Sequence, residues 1–329
     1  MKRLTTAILI LTLVLTAASG CTLGAKDRDG KLRVVCTVFP QYDWVRQILG
    51  DHADNVELTL LLNNRIDLHN YQPSVDDIVR ISGCDLFIYV GGVSDTWADD
   101  VLRQAANKNM VVINLLETLG DSAKLEELVE GMEEEDHDDG DEEDDHHDDE
   151  DEYDEHVWLS LKNARLFCEA IAEALSSIDL ENAGMYRENF AAYTGKLSAL
   201  DAEYKAAVDA APVKTLLFGD RFPFRYLADD YGLTYYAAFA GCSAETEASF
   251  NTVIFLAGKM DELNLKNVMV TESSDKKLAE TIIRQSKGSG QRILALDAMQ
   301  SVARGDVADG VTYISIMESN LKVLKEALS

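Results

Sequence analysis

The strongest constraint on this chain is a strand–helix rhythm broken once. Short apolar runs alternate with helical patterns near the N-terminus, one long helical stretch interrupts them, and the alternation then resumes to the C-terminus. A strand that feeds a helix and then another strand comes back parallel, so each series builds a parallel sheet covered by helices. Two separated series build two sheets. The expected fold is α/β, with two βα lobes of mainly parallel sheet joined by one long rigid helix.

In the first series, strands are expected at Leu32–Val38, Val56–Leu62, Asp85–Val90 and Met110–Asn114. Helices are expected at Tyr42–Leu49, after the capping pattern Ser74–Asp77, and at Trp97–Asn107. An amphipathic helix, Asn163–Ser177, follows. From Asn182 to Ala211 the residues Ala183, Tyr186, Phe190, Tyr193, Leu197, Leu200 and Tyr204 recur at intervals of three and four, until Pro212 stops the pattern. The second series has strands at Lys214–Phe218, Thr234–Phe239, Asn267–Val270 and Arg292–Leu296. Its helices are Phe224–Tyr231, Ala248–Leu263, Lys276–Gln285 and the closing Tyr313–Leu328. These readings give an N-terminal lobe over 31–178, a connecting helix over 179–212 and a C-terminal lobe over 213–329.

The first twenty residues read as an export address. Lys2 and Arg3 precede an apolar run, Ile8–Leu15, that is too short to span a bilayer. Ala18-Ser-Gly-Cys21 then resembles the bacterial lipoprotein processing box, in which Cys21 becomes the lipid-bearing N-terminus and residues 21–30 a tether. A plain secretory signal is the alternative. Cys36, Cys84, Cys168 and Cys242 are far apart with no CxxC, which argues against a zinc–thiolate cluster. Cys36 and Cys84 can pair only if their strands are neighbours.

Charge is concentrated in one place. The chain carries 59 acidic against 30 basic residues, a formal net charge of −29. Residues Glu133–Glu155 hold 18 carboxylates and no Lys or Arg, and without them the remainder carries −11. So acidic a chain repels phosphate backbones, which excludes nucleic acid as a partner. The insert (133–155) also contains His137, His146 and His147, half of the six histidines present. Dense carboxylate with interspersed imidazole attracts divalent cations and holds them loosely, while a purely solubilising run is the plainer reading.

No nucleophile elbow, phosphate-binding loop or dinucleotide fingerprint is present. The informative pair is His69 and His156. His69 lies in Asp67-Leu-His-Asn-Tyr-Gln-Pro-Ser74, between a strand and a capped helix, and His156 in Asp154-Glu-His-Val-Trp-Leu-Ser160, ahead of a helix. Such edges are where open α/β sheets bind ligands.

These two motifs, the acidic insert between them and the segments Tyr231-Gly-Leu233 and Gly241-Cys-Ser-Ala-Glu-Thr-Glu-Ala-Ser249 resemble the zinc/manganese-binding lipoproteins of bacterial metal ABC transporters, the cluster A-I solute-binding proteins. The resemblance covers essentially the whole chain after Cys21. It implies one divalent metal between the lobes, held by three His and one acidic residue. His69 and His156 match the N-lobe ligands, and Glu272, at the end of Val268-Met-Val-Thr-Glu272, matches the acidic one. The third family His is missing. Arg221 stands nearest its position in Phe218-Gly-Asp-Arg221, and a guanidinium has no lone pair to give a metal. Asp220 is the substitute ligand expected, giving two imidazoles with two carboxylates, the alternative being two imidazoles and Glu272 with a water. Arg221 is then expected to pair with a carboxylate such as Glu245 or Glu247.

The resemblance implies an extracytoplasmic receptor, lipid-anchored to the cell membrane, monomeric and not an enzyme. Its cargo is Zn2+, with Mn2+ as the second choice, and its partner is the membrane ABC permease. An exported zinc-dependent hydrolase and an adhesin-like surface protein are the competing readings. Two His with one Glu and an open position also suit a catalytic zinc, but no HExxH is present.

Overall fold

The structure is a computed structural model that describes residues 30–63, 65–133, 152–243 and 247–329. The leader, Cys21 and the tether up to residue 29 lie outside the described residues, as do His137, His146, His147 and Glu245.

In the N-terminal lobe, β1 (Leu32–Cys36), α1 (Phe39–Leu49), β2 (Val56–Leu60), α2 (Val75–Gly83), β3 (Leu86–Tyr89), α3 (Trp97–Gln104), β4 (Val111–Asn114) and α4 (Leu115–Leu119) follow in order. The sheet runs β2-β1-β3-β4 with every pair parallel. The capping box forms as the sequence dictates. Ser74 Oγ accepts from Asp77 N at 3.2 Å, and Asp77 Oδ2 accepts from Ser74 N at 3.0 Å, satisfying donors that open α2. Although β1 and β3 are neighbours, Cys36 registers with Ile88, and Cys84 lies four residues before that, roughly 13 Å along the strand. No disulfide joins them.

Two helices then lead out of the lobe, α5 (Leu161–Ile178) and the 28-residue α6 (Ala183–Ala210). The expected stripe on α6 is the one buried, through Tyr186, Tyr193, Leu197, Leu200 and Tyr204. The C-terminal lobe comprises β5 (Thr215–Phe222), α7 (Arg225–Tyr231), β6 (Thr234–Ala240), α8 (Phe250–Glu262), β7 (Asn267–Thr271), α9 (Lys277–Gln285), β8 (Arg292–Leu296), α10 (Arg304–Ala308) and α11 (Tyr313–Ala327). Its sheet, β6-β5-β7-β8, is also wholly parallel.

The connecting helix is not the only bond between the lobes. Helix α11 returns from the second sheet and packs on the first lobe, where the Trp44 ring lies 5.6 Å from Phe167 of α5 and 5.2 Å from Tyr313 of α11. Buried polar contacts fix the same seam. Trp158 Nε1 donates to Ala298 O at 2.9 Å, Tyr313 Oη to Trp158 O at 2.7 Å, and Tyr204 Oη to Met317 O at 2.7 Å. One continuous buried cluster therefore includes β1, α5, α6, α7 and α11, while a second, containing Leu217, Val253, Met260, Val268 and Ile282, covers the far face of the C-terminal sheet.

Candidate metal centre

The two sheets present the carboxyl ends of their strands to the same place, the edge at which open parallel sheets gather ligands. Each histidine is set there by an aspartate two residues upstream. Asp67 accepts from His69 N at 3.1 Å and starts the 3₁₀ turn Leu68–Asn70 after β2. Asp154 accepts from His156 N at 2.8 Å, ahead of the turn Val157–Leu159. A short acidic side chain folding back on its own backbone two residues later is a local preference, so Asp-x-His alone orients both loops.

The ring nitrogens then divide their work. His156, fully buried, directs Nδ1 at Asp154 Oδ1 at 3.0 Å. His69 directs Nδ1 at Ser94 Oγ, 2.9 Å, and at Glu155 Oε2, 3.3 Å, while Glu155 Oε1 also accepts from Ser94 N at 2.8 Å. The Asp154 carboxylate only accepts, so His156 Nδ1 carries the proton and its Nε2 keeps a lone pair. His69 Nδ1 meets a hydroxyl and lies 3.3 Å from Glu155 Oε2, an arrangement that leaves its Nε2 facing the site. The two Nε2 atoms face each other at 3.3 Å. Two nitrogen donors on one tetrahedral zinc stand about 3.3–3.4 Å apart, given Zn–N bonds of about 2.0–2.1 Å. The pair is spaced for a single ion.

The surroundings are anionic. Burial resists ionisation of Glu155, yet hydrogen bonds from His69 and Ser94 hold its carboxyl below the usual range. At Asp67 burial is likewise outweighed, by the Arg221 guanidinium and by His69. Burial opposes a charge on His156, but Asp154, Glu155 and Glu126 outweigh it and raise its pKa. Burial, with Asp154 adding repulsion, pushes Glu126 up. Field lines from these groups converge on the histidine pair, which favours a cation. A cleft of 1020 Å³, lined by His69, Ser94, Glu126, Glu155 and Cys242, opens beside it, and Glu133 and Glu152 also line that cleft.

The expected carboxylate ligands, Asp220 and Glu272, also carry structural hydrogen bonds. Asp220 Oδ2 accepts from Thr271 N at 3.0 Å and Thr271 Oγ1 at 2.8 Å, and its Oδ1 from Arg221 N at 2.9 Å. Its carboxylate ties β5 to β7 where their ladder has only the Phe218–Met269 pair. Glu272 accepts from Ala298 N at 2.9 Å and from Gln300 N and Ser301 N, both at 3.2 Å. It shapes the loop that sends Gln300 Nε2 to within 2.8 Å of His156 Nε2, covering the lone pair. Met299, in the same loop, takes a positive φ of 62°, a strained backbone held because Glu272 binds the amides on either side and Asp297 accepts from Met299 N at 2.7 Å. Arg221 does not pair with Glu247. Its Nη2 reaches Asp67 Oδ2 at 2.6 Å across the lobes, because the bulge after Phe218 swings the end of β5 toward the His69 loop.

Sequence reasoning did not assign Cys242, Gln300, Ser94 or Glu126. The twofold occurrence of Asp-x-His would have singled out Asp67 and Asp154 as braces. Nothing local marks Gln300, which arrives from the far end of β8.

Residues 34–327 match the family described as zinc-uptake complex component A, periplasmic, or ZnuA. The chain belongs to the ZnuA family. It is 34% identical over 301 residues to the zinc-binding lipoprotein AdcA of Streptococcus pneumoniae serotype 4, covering 92% of this chain and 56% of that protein. It therefore spans about half the length of that relative. It is 31% identical over 317 residues to the high-affinity zinc uptake system protein ZnuA of Bacillus subtilis, covering 96% of this chain and 94% of the other. Among solved structures, the Zn(II)-bound ZnuA-like domain of the pneumococcal AdcA superposes with a TM-score of 0.68 at 28% identity, over 91% of this chain and 99% of that domain. This ZnuA-family chain thus has the two-lobed parallel-sheet architecture expected, with an Arg221–Asp67 ion pair where the expected third histidine is missing.

Proposed function

We propose that this protein is the extracytoplasmic, lipid-anchored receptor of a metal ABC transporter, and that it captures one Zn2+ on His69 and His156 and delivers it to the membrane permease. The observation that carries this reading is the pair of Nε2 atoms 3.3 Å apart, with a carboxylate beside the opposite ring nitrogen of each. Imidazoles so braced are stronger donors, and they suit zinc better than the harder Mn2+. The anionic lining draws the hydrated ion into the cleft, and Gln300 must leave His156 Nε2 as the ion takes its place. Glu272 holds the 298–301 loop that carries Gln300, and so couples that loop to the site. Anchoring rests on the lipobox-like Cys21, and the kinship to zinc-uptake proteins supports the permease as partner.

A competition titration against a chromophoric zinc chelator tests the reading. One tight ion per chain is expected, lost in His69→Ala and His156→Ala, with no hydrolase activity in the loaded protein. Absence of stoichiometric binding by the unaltered chain overturns it. Incorporation of labelled palmitate in a bacterial host, abolished by Cys21→Ala, tests the anchor.

A further inference from the structure

We infer that Cys242 is a third protein ligand of the captured ion, standing in for the histidine this chain lacks; the inference rests on the zinc-binding reading above. Among the described residues, His69, His156 and Cys242 form the set whose donor atoms all lie within 4.8 Å of one another. Cys242 Sγ is 4.0 Å from His156 Nδ1 and lines the same cleft as His69.

The backbone is built to bring the sulfur there. Cys242 follows β6 directly, and its N–H donates to Glu126 Oε1 at 2.7 Å. Before it, a Cβ added at Gly241 would lie 3.0 Å from Phe222 O and 3.2 Å from His156 Nδ1. A side chain at 241 would crowd the strand end against the imidazole by a few tenths of an ångström, so glycine favours the approach. Cys36, Cys84 and Cys168, by contrast, are buried in the core, while Cys242 is only partly covered.

The other candidates for the third place are engaged. Arg221 has no lone pair and holds Asp67, Asp220 is tied to Thr271, and Glu272 is tied to the 298–301 loop. A sulfur and a nitrogen on one tetrahedral zinc stand about 3.6 Å apart, so Sγ, now 4.0 Å from the Nδ1 edge of His156, has to swing by side-chain rotation toward the paired Nε2 atoms. As the Zn–S bond forms, the thiol proton passes to bulk water and no electrons change hands. Two imidazoles with one thiolate make a soft donor set, which moves preference toward zinc and away from Mn2+.

Cobalt(II) reports on the sulfur directly, because a thiolate–cobalt bond gives a strong near-ultraviolet charge-transfer band that imidazole and carboxylate do not. The full chain, kept reduced, should take up one Co2+ and show the band. Cys242→Ser should bind cobalt without it and lose zinc affinity by at least the roughly tenfold that removal of an outer brace costs. Cys242→His should bind without the band but with zinc affinity restored, which separates loss of a ligand from loss of fold. One bound Co2+ with no band in the unaltered chain, or a band that survives Cys242→Ser, overturns the assignment while leaving metal binding intact. No cobalt or zinc binding at all overturns both readings.

Discussion

Replacing Asp154 by Asn isolates the electrostatic half of the site, because the substitution is isosteric. The amide oxygen can still accept from His156 N, now 2.8 Å from Oδ1, so the turn into Val157–Leu159 is preserved. What disappears is the negative charge 3.0 Å from His156 Nδ1, between side chains that are 0% and 2% exposed. Loss of such a partner typically weakens metal binding about 10–100-fold. With both groups out of water the interaction is hardly screened, which puts Asp154→Asn near the hundredfold end, about 2.7 kcal/mol. Glu155→Gln should cost less, roughly tenfold, since His69 Nδ1 keeps Ser94 Oγ at 2.9 Å. Zinc competition titrations on the two variants, with thermal melts to verify folding, give the comparison. A folded Asp154→Asn protein whose zinc affinity stays within about twofold of the original would refute the claim that this carboxylate sets the donor strength of His156.

Stability should carry a pH signature at Asp95, whose pKa is pushed up to about 7 by burial, against the lowering effect of hydrogen bonds from Val90 and Gly91. Its folded pKa exceeds the unfolded one, so this carboxyl destabilises the fold progressively as pH rises from about 4 to about 7 and by a constant amount above that; Asp95→Asn should gain stability relative to the original across that window in urea melts, and a gap that stays constant between about pH 4 and 7 would contradict the sign. Because α6 and the Trp44–Phe167–Tyr313 seam both join the lobes, zinc uptake should proceed by small rotations and loop shifts, and solution scattering with and without zinc should give nearly equal radii of gyration. Deleting residues 134–151, which keeps Glu133 on Ser249 and Tyr153 beside Leu125, should leave one tight site in calorimetry and remove a class of weaker ones; loss of the tight site would assign a primary ligand to the insert.

Local order set much of this protein in advance. Periodicity two and periodicity 3.6 depend only on neighbouring residues, so the strands, the stripe on α6 and the Ser74 cap were legible from the chain alone. His69 and His156 were legible for a similar reason, since each sits in an Asp-x-His turn that its own neighbours fold. Tertiary structure decided everything that depends on distant segments meeting. Strand register separated Cys36 from Cys84, and the bulge in β5 took Arg221 to Asp67 instead of a glutamate on its own lobe. The gap in the β5–β7 ladder took Asp220 for the sheet, and the loop after β8 put Gln300 on His156. Cys242 meets His156 across 86 residues of sequence. No local pattern encodes that encounter, because it follows from how two sheets pack their edges together and from a glycine that lets one strand end come close.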